Sequence, residues 1–262
     1  MRTILITTLA VAVAGMIAAS PASAANDAAS TTSLQRGPSF SVNLSNGPLR
    51  GAGVDPVVFD SFTTAAGLTT TTGTPRTVMG GVVTTSGAGP EVDITAIDVY
   101  AASTATASYT NVRVNIQLWD IYTAAGVPVF SSPAGALITA DLGPVQFTAN
   151  TFSPVSLTLP VPVRLNSLAN KGIAVSYQVD TGSGLAVTDA MTSLITYDGA
   201  VSVGTYVLNG GNGFFRNASN RPDYNFLSSD LRTFTGITDA AFGVILYGDA
   251  TVPVTLQSFN VD

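Results

Sequence analysis

The chain has 262 residues and a formal net charge of −6, and it contains no histidine, no cysteine, one lysine (Lys171) and one glutamate (Glu91). These residue types supply most general bases, activated nucleophiles and metal ligands, so most familiar catalytic arrangements are excluded. An acidic chain with a single lysine is also a poor match for nucleic acid or anionic lipid, which bind through positive charge. The composition predicts an exported β-protein with a binding or structural role rather than a catalytic one.

Residues 1–24 have the three parts of a secretory signal peptide. Met1 and Arg2 give a positive start, Ile4 to Ala18 is largely apolar, and small residues precede a predicted cleavage after Ala24. The apolar run is shorter than the ~20 residues that a spanning helix needs, and without cysteine a lipid anchor is excluded. The expected product is secreted, and an exported chain without disulfides indicates a bacterial source.

Residues 25–53 are rich in Ser, Ala, Asn, Gly and Thr and have little apolar periodicity. We interpret them as a flexible leader with one short strand at 40–44. The main domain is predicted to span residues 54–250, and residues 251–262 form a C-terminal strand or tail.

Short apolar runs broken by Gly, Pro, Asn and Asp fill the main domain. The run 112–119 alternates strictly, with four aliphatic side chains from Val112 to Leu118 on one face, which is typical of a half-buried strand. No window of ten or more residues has a convincing helical period. Strands are predicted at 57–62, 77–84, 92–100, 109–119, 127–130, 136–140, 145–148, 155–165, 173–179, 192–197, 201–208, 242–247 and 252–259.

This spacing of short strands predicts one all-β domain, a single antiparallel β-sandwich of jelly-roll-like form. The stretch Leu159 to Val163 contains Pro160 and Pro162. Because proline cannot donate to a β-ladder, this stretch is predicted to be an edge, a bulge or a bend.

Several segments taken in order carry a family resemblance: VRVNIQLWDI at 112–121, GVPVF at 126–130, GIAVSY at 172–177, GFFR at 213–216 and AFGVILYG at 241–248. Together they resemble the β-sandwich ectodomains of bacterial exported surface proteins that carry PEP-CTERM sorting tails or related anchors. The resemblance implies a β-sandwich without assigned enzymatic activity. The chain ends in TVPVTLQSFNVD, without the apolar helix and basic end of such tails. This end is expected to be a last strand, a flexible tail, a sorting signal or a strand that adds to a neighbour's sheet.

Aromatic residues lie among Asn and Arg residues in the segment from Tyr197 to Tyr247, which includes a Gly-rich loop. Flat rings stack on sugar faces and planar amide or guanidinium groups bond to hydroxyls, whereas aromatics near such loops also plug the ends of sandwiches. Both interpretations stay open. The candidate ligand-binding residues are Tyr206, Phe214, Phe215, Arg216, Tyr224 and Asn225.

Aspartates greatly outnumber glutamate, which suits turns and also suits Ca²⁺. The possible clusters are Asp55 with Asp60, Asp93 with Asp98, and Asp180 with Asp189. None matches an EF-hand loop, so Ca²⁺ is possible but no metal ligand is assigned. A glycosidase would need two paired carboxylates, and the odd spacing of Asp93 and Asp98 on one strand predicts opposite faces. No catalytic residue is predicted, and the chain is expected not to be an enzyme.

The sequence therefore predicts a secreted, non-catalytic β-sandwich with a structural or adhesive role at the bacterial cell surface or in the extracellular matrix. Only 10% of the residues are charged, so few charged side chains are available to oppose edge-to-edge association of the sheets. The expected partners are further copies of the chain or an extracellular polysaccharide. The alternative is a carbohydrate-binding module that recognises a neutral polysaccharide.

Overall fold

The computed structural model describes residues 25–28, 34–44, 55–70, 78–86, 91–120, 137–166, 170–188, 190–207, 212–216, 226 and 230–251. Within these residues the fold is all-β and contains no α-helix, which confirms the predicted fold class. The predicted signal peptide and the strands predicted at 127–130 and 252–259 lie outside the described residues.

The strands of the described residues are short except for β7, β9, β12, β13 and β21 in the following list. In chain order they are Ala25–Ala28 (β1), Gln35–Arg36 (β2), Phe40–Asn43 (β3), Val57–Asp60 (β4), Gly67–Thr69 (β5), Val78–Thr84 (β6), Glu91–Ser103 (β7), Ala107–Tyr109 (β8), Asn111–Trp119 (β9), Ile138–Asp141 (β10), Val145–Phe147 (β11), Thr151–Asn166 (β12), Lys171–Asp180 (β13), Leu185–Val187 (β14), Met191–Ser193 (β15), Ile195–Tyr197 (β16), Thr205–Tyr206 (β17), Gly213–Arg216 (β18), Leu231–Thr235 (β19), Ala241–Phe242 (β20) and Val244–Thr251 (β21).

Two large sheets form the sandwich. The first has the strand order β1-β19-β18-β6-β13-β9-β10, with β14 beside β13 and β17 beside β6. The second has the order β2-β12-β7-β21-β4, with β3 beside β12 and β15 beside β7. Two small sheets, β11-β8 and β20-β16-β5, complete the described strands. Pairing is antiparallel except where β1 joins β19 and where β2 and β3 join β12, so the predicted leader contributes the parallel strands.

The main core lies between the large sheets. Val112, Val114, Ile116 and Leu118 of β9 all belong to it, which confirms the predicted inward face of that strand. Ile97 and Val99 of β7 belong to the same core from the second sheet. Alternate side chains of strands in both sheets thus fill one interior, as expected for a sandwich.

Each large sheet also buries apolar side chains on its outer face. On the first sheet Trp119 is fully buried and makes an edge contact with Phe226, with 6.4 Å between ring centroids. On the second sheet Phe62 stacks on Tyr100 at 3.8 Å between centroids and 10° between planes. The outward faces are therefore partly apolar, unlike the polar outward faces that the alternation of β9 predicts.

A β-bulge at Thr95 interrupts the regular alternation of β7. Both neighbours skip this residue, since Ala96 and Ile94 pair with Tyr247 and Gly248 on β21 and with Thr158 and Val163 on β12. A bulge adds one residue to a strand, so side chains beyond it change face. Val92 and Ile94 before the bulge and Ile97 and Val99 after it consequently all face the core.

The proline-containing stretch of β12 forms a second irregularity, as predicted. The register of β12 on β7 shifts between Thr158 and Val163, and the pairing of β3 with β12 ends at Thr158. Pro160 and Pro162 carry no N–H, so the ladder cannot continue through them. Val161 between them is 71% exposed.

Candidate functional site

The described rings of the predicted sugar platform are buried. Tyr206, Phe214 and Phe215 are 6%, 0% and 3% exposed. Phe214 stacks on Phe234 in the main core at 4.3 Å, whereas Phe215 packs on Phe226 in the outer cluster of the first sheet. These three rings therefore do not form an exposed strip for a sugar, which corrects the candidate binding surface.

The physical reason is that both faces of the first sheet are apolar, so two consecutive aromatics on β18 are both covered. Tyr206 lies over Gly81, where a Cβ atom would be 2.3 Å from its Oη atom. Burial raises the pKa of the Tyr206 hydroxyl. Arg216 is partly buried at the end of β18, and the candidates Tyr224 and Asn225 lie outside the described residues.

The aspartates singled out as possible calcium ligands are mostly used locally. Asp55 accepts a hydrogen bond from Thr95 Oγ1 at 2.7 Å, and Asp93 is paired with Arg164. Asp180 accepts from the backbone N–H groups of Gly182 and Gly184 at 2.6 and 2.9 Å. Within the part of the chain that the structure describes, no three acidic side chains converge as metal ligands would. Asp189 lies outside that part.

The bulge at Thr95 changes the relation between Asp93 and Asp98. Both side chains point to the outer face of the second sheet, where Asp93 contacts Arg164 and Asp98 accepts from Tyr247 Oη at 2.8 Å. The odd spacing predicted opposite faces, and this prediction is wrong because the bulge adds a residue between the two positions. The two aspartates remain separate, about 13 Å apart along the strand.

Asp98 is instead close to Asp60. Both residues pair with Ile245, one from each side of β21, so their backbones are about 10 Å apart. We name Asp60, Asp98, Tyr100 and Tyr247 the carboxylate–tyrosine cluster. It lies on the outer face of the second sheet beside the stacked Phe62 ring.

The environment shifts the pKa values of the two carboxyls of this cluster in opposite directions. Burial raises the pKa of Asp98 despite hydrogen bonds from Ser156 and Tyr247, and the nearby charge of Asp60 raises it further. Burial also raises the pKa of Asp60, but hydrogen bonds from Thr63, Phe62 and Ser202 outweigh it and leave the pKa lowered. Asp60 Oδ1 accepts from the N–H groups of Phe62 at 2.7 Å and Thr63 at 3.0 Å. Asp60 thus fixes the turn after β4, while Asp98 carries an unfavourable charge.

The only lysine of the chain lies inside the sandwich. Lys171 begins β13 and is 1% exposed. Its cross-strand neighbour is Asp120, which directly follows β9, one residue beyond the last paired position, Gly172 with Trp119. Burial lowers the pKa of Lys171 to about 8, although the charge of Asp120 raises it.

An open apolar groove lies on one side of the sandwich, between β10 at the edge of the first sheet and the bulged part of β12 in the second. Its volume is about 590 Å³. We name it the edge groove. It is lined by Leu44, Leu137, Ile138, Thr139, Leu159, Pro160, Val161, Pro162, Val163 and Arg164. Within the described residues β10 pairs on one side only.

Arg164 is the one charged residue among those that line the edge groove. Arg164 bonds to Asp93 through two nitrogens at 2.8 and 2.9 Å and approaches Glu91 at 3.2 Å. The bidentate pair raises the pKa of Arg164 and directs the guanidinium toward the outer face. Apart from Thr139, the other lining residues are apolar. Leu137 and Val161 on the rim are 46% and 71% exposed. Only the two prolines signalled this site in the sequence.

Comparisons of the chain with protein-family models, with curated proteins and with solved structures give no match. No helix in the described ranges is long and apolar enough to cross a membrane.

Asp98→Asn is expected to leave the free energy of unfolding at pH 7 unchanged or higher, whereas Asp60→Asn lowers it by about 1–3 kcal/mol. The raised pKa of Asp98 means that its contribution to stability falls as pH rises above the usual Asp range. The lowered pKa of Asp60 has the opposite sign, so its contribution is lost on acidification. Urea unfolding between pH 2 and pH 8 measures both, because the Asp60 contribution is lost below the ordinary Asp pKa and the Asp98 contribution changes above it. A larger loss at pH 7 in Asp98→Asn than in Asp60→Asn would contradict this account.

Lys171→Met is expected to stabilise the protein at pH 7, by on the order of 1–3 kcal/mol. Because the pKa of Lys171 is lowered to about 8, the unfolded chain holds this proton more tightly than the native one. Stability of the wild type should therefore gain a rising contribution from about pH 8 upward, and Lys171→Met should lack it. In the control Asp120→Asn the rise should begin at lower pH. Denaturant unfolding from pH 6.5 to 9.5 tests this, and identical profiles for wild type and Lys171→Met would refute it.

Proposed function

We propose that the chain is a secreted, non-catalytic β-sandwich with a structural or adhesive role at the bacterial cell surface or in the extracellular matrix. The observation that carries the proposal is the edge groove. It combines an exposed aliphatic surface with a strand, β10, that pairs on one side only within the described residues. Both features favour association, because apolar side chains are removed from water and the free strand edge gains backbone hydrogen bonds.

The occupant we propose is a second copy of the chain. The groove is lined mainly by aliphatic side chains and has no aromatic ring in its lining, which suits the aliphatic surface of a like molecule better than the face of a sugar. Its one charged lining residue, Arg164, is already paired with Asp93. Two copies could therefore meet there without leaving a new unpaired charge.

Val161→Asp is expected to weaken self-association by about tenfold or more. Burying a valine contributes about 1.5–3 kcal/mol, and each 1.4 kcal/mol corresponds to about a tenfold change in affinity. Sedimentation velocity at rising concentration measures the effect. The matched control is Val57→Asp, at another exposed valine on β4. A wild-type protein that stays monomeric at every concentration, or equal effects of the two substitutions, would count against the proposal.

A carbohydrate-binding module is the second candidate, and a polar row on the outer face of the first sheet favours it. Arg113 pairs with Gln178 on β13 and with Asp141 on β10, and Arg113 Nε donates to Asp141 Oδ1 at 2.7 Å. Asn115 in the next row donates to Gln178 Oε1 at 3.3 Å. Amide and guanidinium groups of this kind bond to sugar hydroxyls.

Arg113→Ala is expected to abolish depletion of the protein by an insoluble neutral polysaccharide if this row binds sugar, because a fixed donor is lost. The assay compares protein left in solution with and without Ca²⁺. Arg232→Ala on β19, in the same sheet, serves as the control. Wild-type protein that is not depleted by any neutral polysaccharide would remove this candidate and leave the first proposal untouched.

A further inference from the structure

The first strand of the described chain occupies the outer edge of the first sheet. β1 pairs in parallel with β19, in the register Ala25 with Arg232, Asn26 with Thr233, and onward to Ala28 with Thr235. Within the described residues this is its only strand partner. A parallel pair is slightly less stable per residue than an antiparallel one. Four such pairs therefore make a weak attachment.

The strand that receives β1 is held firmly by other contacts. Phe234 of β19 is 2% exposed and stacks on Phe214 at 4.3 Å between centroids and 11° between planes. The N–H of Phe234 donates to the carbonyl of Asn212 at 3.0 Å, and β18 pairs with β19 on the other side. β19 would therefore keep its position without β1, and its free edge would be open to another strand.

β1 itself has a sequence that does not favour a strand. Ala, Asn and Asp are all depleted in strands, so the edge of β19 rather than the segment's own propensity sets its conformation. Shortly after β1 the chain enters β2, which pairs with β12 in the second sheet. The N-terminal strand thus belongs to one sheet and the next strand to the other, so β1 can leave β19 without breaking a hairpin.

We propose that β1 exchanges between copies, so that residues 25–28 of one molecule pair with β19 of the next. This inference rests on the proposed self-association and names a strand that passes between the copies. The exchanged strand forms the same backbone pairs that it forms within its own chain, so exchange sacrifices no native contact. It adds a strand to the neighbour's sheet edge.

Exchange of this kind gives directional assembly. Each molecule donates one strand and accepts one at a different place, so the contact is heterologous and produces open chains or rings. Pairing within one molecule is favoured by an effective concentration that is typically in the millimolar range for a short connection. Exchange is therefore a property of crowded protein, as at a cell surface, and dilute protein closes on itself.

Introduced cysteines test the exchange directly, because the chain has none of its own. Asn26 and Thr233 are register partners, and neighbouring strands lie about 4.8 Å apart, within the range that a disulfide can bridge. The single variants Asn26→Cys and Thr233→Cys are purified reduced, mixed at high concentration and oxidised. The control mixture pairs Asn26→Cys with Ser108→Cys, at an exposed position on β8. The double variant in one chain, oxidised when dilute, checks the register.

We expect the Asn26→Cys and Thr233→Cys mixture to form mixed disulfide dimers about tenfold faster than the control mixture, and the dilute double variant to close within one chain. Equal rates in the two mixtures, while sedimentation still shows association of the wild type, would overturn strand exchange alone. A wild type that does not associate at any concentration would overturn the proposed self-association and strand exchange together.

Discussion

Pairing along both edges of β7 is the constraint on which the second sheet depends. β12 and β21 follow this strand over nearly its whole length, from Glu91 to Ser103 on one side and from Glu91 to Val99 on the other. Both neighbours must therefore accommodate the extra residue at Thr95. On β12 the irregularity coincides with the two prolines, and on β21 it falls beside Gly248, where a Cβ atom would lie 2.4 Å from the carbonyl oxygen of Asp93. Gly248 on β21 and the two prolines on β12 thus lie where each neighbouring strand adjusts to the bulge in β7.

The sequence predicted those parts of the fold that depend on local pattern. Strict alternation located β9 and its inward face, and the prolines located the bulge in β12. The relation between Asp93 and Asp98 could not be predicted, because no residue near Thr95 signals a bulge that arises from pairing with two neighbours. For Phe214 and Phe215 the sequence left core packing and a ligand surface both open, and it could not decide between them. If one face of a sheet is polar and exposed to solvent, one of two adjacent aromatic residues on a strand must be exposed. Here both faces of the first sheet are covered by apolar side chains, so both rings are buried.

The candidate surfaces differ in how the sequence encodes them. The edge groove is formed by Leu137, before β10, and by Val161, in the bulge of β12, which are brought together only by the packing of two sheets. Its β12 side begins where, within the described residues, the pairing of β3 with β12 ends at Thr158. Val161, in the interrupted stretch, is the exposed aliphatic side chain that β12 contributes to the groove. By contrast, Asp60 and Asp98 are engaged within the fold, where they close the outer face of the second sheet around Ile245.

The single tryptophan gives the protein a built-in optical reporter. Trp119 is fully buried at the end of β9, in edge contact with Phe226, so its fluorescence reflects the polarity of one place on the outer face of the first sheet. β9 is separated from β19 by β13, β6 and β18. Its emission will therefore change when the central strands of the first sheet unfold. It will not change when β1 leaves β19. Molecules that are closed and molecules that have exchanged strands should look alike in fluorescence while differing in mass.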